Sequence, residues 1–430
     1  MKINLNHQSN KLKPYNVEIL SIGTELLLGD IVNTNSQWIA IELSHLGLNH
    51  FRQSTIGDNK SRISNIVKEI SVRSDLLITT GGLGPTPDDL TTEAIADAFN
   101  AVISEREYLW DEIKQKISRN DLDINNSNLK KQCIFPKDAE IINNPNGTAP
   151  GMIWHPKEGF TIMTFPGVPN ELKSMWRSTA NEYIRKNFSN NKIFLSSTLK
   201  FCGISESTMS ERIENFLNLE NPTVAPYANL GEVKLRITAK AKNKNEAENL
   251  INPIKEKLKD KFSQYIYGED EETLASTVLR IMGMRKESLG IAESCTGGLL
   301  SSSITSIPGS SNVFKGGIVA YTNELKESLI GVSNETINKF GAVSEETVKA
   351  MAIGVRQKLG SDWSIAISGI AGPQGGSRNK PVGLVYIAIS APNKEIFITK
   401  KLFNPIRNRQ EIQILSVNEC LNQLRLILLS

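Results

Sequence analysis

Histidine is nearly absent from this sequence. Its four copies, His7, His45, His50 and His155, all lie in the N-terminal part, so an acyl-transfer site further along has no imidazole base and must draw on Lys, Tyr, Asp or Glu. Cysteine is as sparse. Cys133, Cys202, Cys295 and Cys420 stand far apart, with neither a C-x-x-C pair nor a zinc-like cluster, which points to a reducing compartment. Apolar runs are strand-sized, well short of the roughly 18 residues a bilayer span needs. The opening MKINLNHQSN lacks the apolar core of a signal peptide. A cytoplasmic protein without membrane contact is therefore expected. Excess charge is missing too: 49 basic against 46 acidic residues leave +3, too little over this length for an electrostatic nucleic-acid footprint, so direct nucleic-acid binding is not expected.

What is present suits globular domains. With 39% hydrophobic and 22% charged residues the chain can pack, and 430 residues exceed what one core supports. The fold class expected is α/β: two three-layer α/β domains joined by a small α+β domain. Residues 1–14 are polar and read as a flexible tail. From 15 to 180, VEILSIG, SDLLITTGG and GFTIMTFPG are strands meeting glycine turns, with helical spacing between, which is βαβ grammar with parallel strands. Residues 181–267 change to strand, helix, strand, strand, helix. The last of these is Lys-rich, but its interspersed Glu and Asp mark a solvated face. GEDEE opens the last domain, 268–430.

Two glycine loops carry the chemistry of that domain. Glu293-Ser294-Cys295-Thr296-Gly297-Gly298 sits where a strand hands over to a helix, so its hydroxyls and the amides around Gly297 and Gly298 suit a phosphate or an oxyanion. The second loop starts at Ser368-Gly369 and follows another buried strand. Ser294 reads as a nucleophile and Lys326 as its proton acceptor, because a buried lysine can lose its charge near neutral pH. The Tyr321 hydroxyl is placed to orient that lysine or relay a proton. Against this stands a plainer arrangement, in which Ser294 caps a helix, Tyr321 ends a strand and Lys326 points into water. Cys295 is a rival nucleophile. Glu293 can hold a ribose hydroxyl or position Lys326, and Arg378 can meet a phosphate.

The first domain gathers Glu25, Asp30, Asn33 and Asn35 after its first strand, then Asp58, then Gly81-Gly82 and Asp88-Asp89. Carboxylates beside a glycine turn can hold a divalent cation together with phosphate oxygens. Asp89 also fits a helix cap.

These strings resemble a known family. ESCTGG, GGIVAYTNELK, GAVSEETV and SGIAGPQGGS followed by KPVGLVY look like the C-terminal amidase domain of the CinA family. SIGTELLLGDIVNTN, GGLGPTPDDLT, NGTAPGM and FPGVPNE look like its N-terminal domain, which is similar to molybdopterin-binding proteins. The resemblance implies hydrolysis of nicotinamide mononucleotide to nicotinic acid mononucleotide and ammonia, without a cofactor. It places the catalytic serine, lysine and supporting tyrosine on Ser294, Lys326 and Tyr321, and substrate contacts on Thr296, Ser368 and Gly369. For the N-terminal domain it implies cleavage of ADP-ribose to AMP and ribose 5-phosphate with a divalent metal. Asp88 and Asp89 are then the foremost metal ligands, with Glu25, Asp30, Asp58 and Glu171 behind them. A homodimer acting on small-molecule nucleotides is implied, with a recombination or competence partner as an additional role. The alternatives are a chain that is mainly a nucleotide pyrophosphatase, or an interaction protein tied to competence and DNA damage with little catalysis.

Overall fold

Strand Val17–Ile22 (β1) is buried along its whole length, as a strand covered on both faces must be. Leu76–Thr80 on one side follows the same rule, while His50–Ile56 on the other is an edge strand with mostly exposed residues. In the computed structural model, which describes residues 15–48, 50–118, 127–188 and 193–430, β1 pairs in parallel with His50–Ile56 (β2) and Leu76–Thr80 (β3). The tail expected at 1–14 lies outside the described residues. After a small pair formed by Ile103–Glu105 (β4) and Ile134–Pro136 (β5) come Glu140–Ile142 (β6), Gly151–Lys157 (β7) and Phe160–Phe165 (β8). They complete a six-stranded sheet in the order β2-β1-β3-β8-β7-β6.

The alternation of side chains makes three layers. Val17, Ile19, Leu76, Ile78, Met163 and Phe165 pack with Ile39, Leu43 and Trp176 of the helices on one face. Leu20, Ile22, Leu77 and Ile162 pack with Ile63, Val67 and Ile95 on the other. The sheet is not wholly parallel as βαβ grammar suggests. β7 runs antiparallel to β8 and to β6, because the turn at Gly159, whose φ is 75°, is far too short for a crossover.

Ile193–Cys202 (β9), Thr223–Asn229 (β10), Glu232–Ala241 (β11) and Ile266–Glu269 (β12) form a small sheet ordered β10-β11-β9-β12. The chain divides into two compact units, residues 1–195 with 239–249 and residues 196–238 with 250–430.

The last sheet consists of Leu289–Glu293 (β13), Phe314–Val319 (β14), Trp363–Gly369 (β15), Leu384–Ser390 (β16) and Ile396–Leu402 (β17). Its order is β14-β13-β15-β16-β17. β13 is parallel to both neighbours, while β16 and β17 turn antiparallel. Leu289, Ile291, Ile365, Ile367, Ile387 and Ile389 meet Val278, Met282, Leu421 and Leu424 on one face. The other face shows small residues, Ala292, Ala366 and Ala388, against Val348, Met351 and Val355 of helix Glu345–Leu359. Two three-layer α/β domains joined in sequence by a small α+β module are thus the architecture. Because β13 and β15 are parallel neighbours, the loops leaving their C-terminal ends emerge side by side.

Candidate functional site

Lys326 lies on helix Asn323–Ile330, which Thr322 caps by accepting the Leu325 amide. Lys326 and Ile330 are the buried residues of that helix, one turn apart, so the face that carries Ile330 into the core carries the lysine stem with it. Lys326 is 1% exposed. Its Nζ stands 3.2 Å from Ser294 Oγ, 2.9 Å from the Ala320 carbonyl oxygen and 3.2 Å from that of Tyr321. Burial lowers its pKa from the usual lysine value, since a charged amine is poorly solvated there. In the charged form three N–H bonds meet three acceptors. In the neutral form two N–H groups suffice for the two carbonyls, and the lone pair is left facing the Ser294 hydroxyl.

Ser294 follows β13 directly, and its amide donates to Ile367 O at 3.1 Å. The next turn needs left-handed backbone: φ is 62° at Gly297 and 102° at Gly298, a region that glycine enters without strain. Glu293 takes a task the loop reading did not assign to it. It is fully buried, and its carboxylate accepts the amides of Gly298, Leu300 and Ser301 and the Ser301 hydroxyl at 2.6–3.0 Å. It therefore satisfies the open start of helix Leu299–Thr305, and both of its oxygens are engaged within the protein.

Other residues named from the sequence fall in different places. The Tyr321 carbonyl, not its hydroxyl, touches Lys326; the hydroxyl accepts from Arg409 Nη2 at 2.9 Å. The Cys295 thiol is buried and its pKa is pushed up to about 12, chiefly by burial, which keeps it protonated and a poor nucleophile. Thr296 is buried, and its hydroxyl has no partner among the described residues. The Ser368 hydroxyl donates to the Ala342 carbonyl at 2.7 Å. Gly369 packs so tightly that an added Cβ would lie 2.7 Å from Val385. Arg378 is exposed on the second glycine loop.

Two residues escaped the sequence reading. Arg409 Nη1 donates to the Gly372 carbonyl at 3.0 Å while Nη2 reaches Tyr321, and Gln413 Nε2 donates to the Cys295 carbonyl at 2.8 Å. Both come from helix Arg409–Leu429. Asn408 and Glu411 form a capping box at its start, a signature visible in the sequence, but nothing there tells which loops the helix will touch.

In the N-terminal unit a cleft of about 480 Å³ opens beside β1 and β3, lined by Glu25, Asp58, Gly81, Gly82, Asp88, Asp89, Gln132 and Glu171 among others. Asp30 is not part of this lining. Gly81 is required where it stands, since a Cβ there would lie 2.0 Å from the Ile22 carbonyl oxygen. The expected divalent-metal site does not fit. Among the described residues no group of three or more His, Cys, Asp or Glu is arranged to hold an ion. The carboxylates are engaged by groups of the protein: Asp58 accepts the amide and hydroxyl of Thr24, and Glu171 accepts from Asn144. Asp88 and Asp89 both accept from the Thr86 hydroxyl, and Asp89 also takes the Thr86 amide at 2.8 Å. That bond to Thr86 holds the Asp88 carboxyl below its usual pKa. Nor does Asp89 cap the following helix, which begins at Thr91 with Leu90 in the cap position.

Fold and sites together describe a multidomain α/β protein with a molybdopterin-binding-like first domain and a hydroxyl–amine pair at the sheet edge of its last. The family described as "Probable molybdopterin binding domain" matches residues 18–186, "Damage-inducible protein CinA KH domain" residues 196–268, and "CinA C-terminal domain" residues 271–428. A CinA-like protein of Prochlorococcus marinus (strain MIT 9515) is 68% identical over 430 residues, covering 100% of this chain and 99% of the relative. Another, from strain MIT 9313, is 50% identical, with 96% of each chain covered. The chain belongs to the CinA family. Among solved structures, the competence/damage inducible protein CihA from Agrobacterium tumefaciens is 39% identical, covers 36% of this chain and 94% of its own, and has a TM-score of 0.35. Among the described residues no helix is long and apolar enough to cross a membrane.

Proposed function

We propose that the C-terminal domain hydrolyses a carboxamide, with nicotinamide mononucleotide as substrate. The observation that carries this reading is the Lys326 amine, buried and 3.2 Å from the Ser294 hydroxyl. Neutral Lys326 takes the hydroxyl proton as Ser294 Oγ bonds to the amide carbon, and the carbonyl electrons move to its oxygen. The C–N bond then breaks, and the proton held by Lys326 leaves with ammonia. Water, deprotonated in turn by Lys326, attacks the ester; the C–Oγ bond breaks and Ser294 recovers its proton. Arg409, held by the Tyr321 hydroxyl and the Gly372 carbonyl, supplies a fixed positive charge suited to an anionic substrate group. The test is release of ammonia and nicotinic acid mononucleotide in equal amounts, abolished in Ser294→Ala and in Lys326→Met. Nucleotide bound but never converted defeats the reading.

A second reading is an interaction protein tied to DNA damage, with little catalysis of its own. The description of the family matching residues 196–268, a damage-inducible protein domain, favours it. Under this reading the Ser294→Ala chain retains full biological effect in cells while wild-type protein releases no ammonia.

A further inference from the structure

The loop after β13 leaves the amide of Thr296 without an acceptor. The amide of Ser294 is taken by Ile367, that of Gly297 by Ser294, that of Leu299 by Thr296, and those of Gly298, Leu300 and Ser301 by Ile367's neighbour in the sheet, Glu293. The Cys295 amide faces its own sulfur, and among the described residues no acceptor meets the amide of Thr296. Buried amides are seldom left this way. The orientation of the peptide joining these two residues is set from outside the loop, by Gln413 Nε2 holding the Cys295 carbonyl at 2.8 Å. Gln413 follows Ile412, which packs into the core on the sheet face shared with the terminal helix. Lys326 enters from the other layer, where its helix partner Ile330 is packed. In a trans peptide the carbonyl and the N–H point in opposite directions. A carbonyl drawn toward the terminal helix thus turns the Thr296 N–H toward the layer that holds the Lys326 amine and the Ser294 hydroxyl.

We propose that Gln413 is a positioning residue for the Ser294 site, locking the Cys295–Thr296 peptide so that the Thr296 amide receives the negative oxygen formed when Ser294 attacks. The inference rests on the hydrolase reading above and adds its oxyanion donor. Gln413 touches no reacting atom; it acts through the peptide it holds. Removing one such donor outright costs about 100- to 1000-fold in rate, so a peptide released to tilt should cost about 10- to 100-fold.

The experiment follows Ser294 in the full chain with a fluorophosphonate, which needs no knowledge of the natural substrate. Ser294 Oγ bonds to phosphorus, fluoride leaves, and the hydroxyl proton passes to Lys326. The phosphoryl oxygen occupies the same donor. Intact mass gives the labelling rate. Gln413→Met and Gln413→Asn should slow labelling about tenfold or more while melting within a few degrees of wild type, and Gln413→Lys, which keeps an N–H within reach, should recover part of the rate. With nicotinamide mononucleotide the loss should fall on kcat with KM nearly unchanged, and the pH midpoint should not move, because the contacts of Lys326 are intact. Equal labelling rates in wild type and in either folded variant overturn the proposal. Absence of labelling in wild type overturns it together with the hydrolase reading. Labelling that depends on Gln413, without ammonia from the nucleotide, removes the substrate assignment alone and leaves the proposal standing.

Discussion

Lys326 reconciles two demands that usually conflict, a buried amine and a satisfied one. Its carbonyl partners would suit an ammonium, yet burial lowers its pKa, and the two facts together define what pH should do. The unfolded lysine titrates near 10.4 and the folded one below that, so between the two values the unfolded chain binds more protons and stability rises with pH. That contribution is complete above the unfolded pKa and is lost as pH falls through the lowered folded value. Lys326→Met should flatten this rise, which denaturant unfolding across alkaline pH would measure. Ser294 labelling should rise along the same lowered titration; a rate independent of pH from 6 to 10 would contradict the role of the amine. Cys295 gives the complementary expectation. With its thiol pushed up to about 12, Cys295→Ala should keep Ser294 labelling within about threefold of wild type, and loss of labelling would shift the chemistry to sulfur. The positions of Ser294 and Lys326 were legible because a strand, a glycine turn and a capped helix are local patterns. The part played by Tyr321 was not, since whether a hydroxyl or a carbonyl faces a neighbour depends on backbone direction.

At the scale of elements, Glu293 shows how a strand end can build a helix start. Its carboxylate meets four donors from the following turn and helix. Glu293→Ala should therefore cost about 3 kcal/mol, because several buried donors lose their partner at once. The measurement is denaturant unfolding, and a cost under about 1 kcal/mol would show that water replaces the carboxylate. In the sequence this glutamate beside a serine read as a site residue. Periodicity conveys which residues enter a core but not which polar atoms are already engaged. The N-terminal carboxylates illustrate the same limit. Asp58, Asp88 and Asp89, which the sequence sets around glycine turns, and Glu171, which the family resemblance implied, line one cleft, yet hydroxyls and amides of Thr24, Thr86 and Asn144 engage them. The antiparallel strands β7, β16 and β17 were hidden for another reason: a strand's direction is set by the length and geometry of its connection, which alternation does not record.

In the C-terminal unit as a whole, helix Arg409–Leu429 draws distant segments together. Arg425, 2% exposed, donates to the carbonyls of Gln264 and Ile266 and to Asn422, and Asn418 donates to Leu230. The small α+β module is thereby fastened to the last domain by backbone carbonyls that an arginine fork can span. Arg425→Ala should lower amide-exchange protection of β12 and of the terminal helix together, by about tenfold or more, since both lose a shared partner. Loss confined to the helix would show that the fastening lies elsewhere. None of these links was legible, for they join residues far apart along the chain by side chains with ordinary surface preferences.

The same helix imposes a timetable on synthesis. Both members of the hydroxyl–amine pair have been translated by Ile330, well before the apolar residues Ile412, Val417, Leu421, Leu424 and Leu428, which cover one side of the sheet. A nascent chain stopped before Arg409 would own the hydroxyl and the amine while exposing a bare wall of isoleucine. Copies terminated before this helix should be cleared or aggregate rather than accumulate.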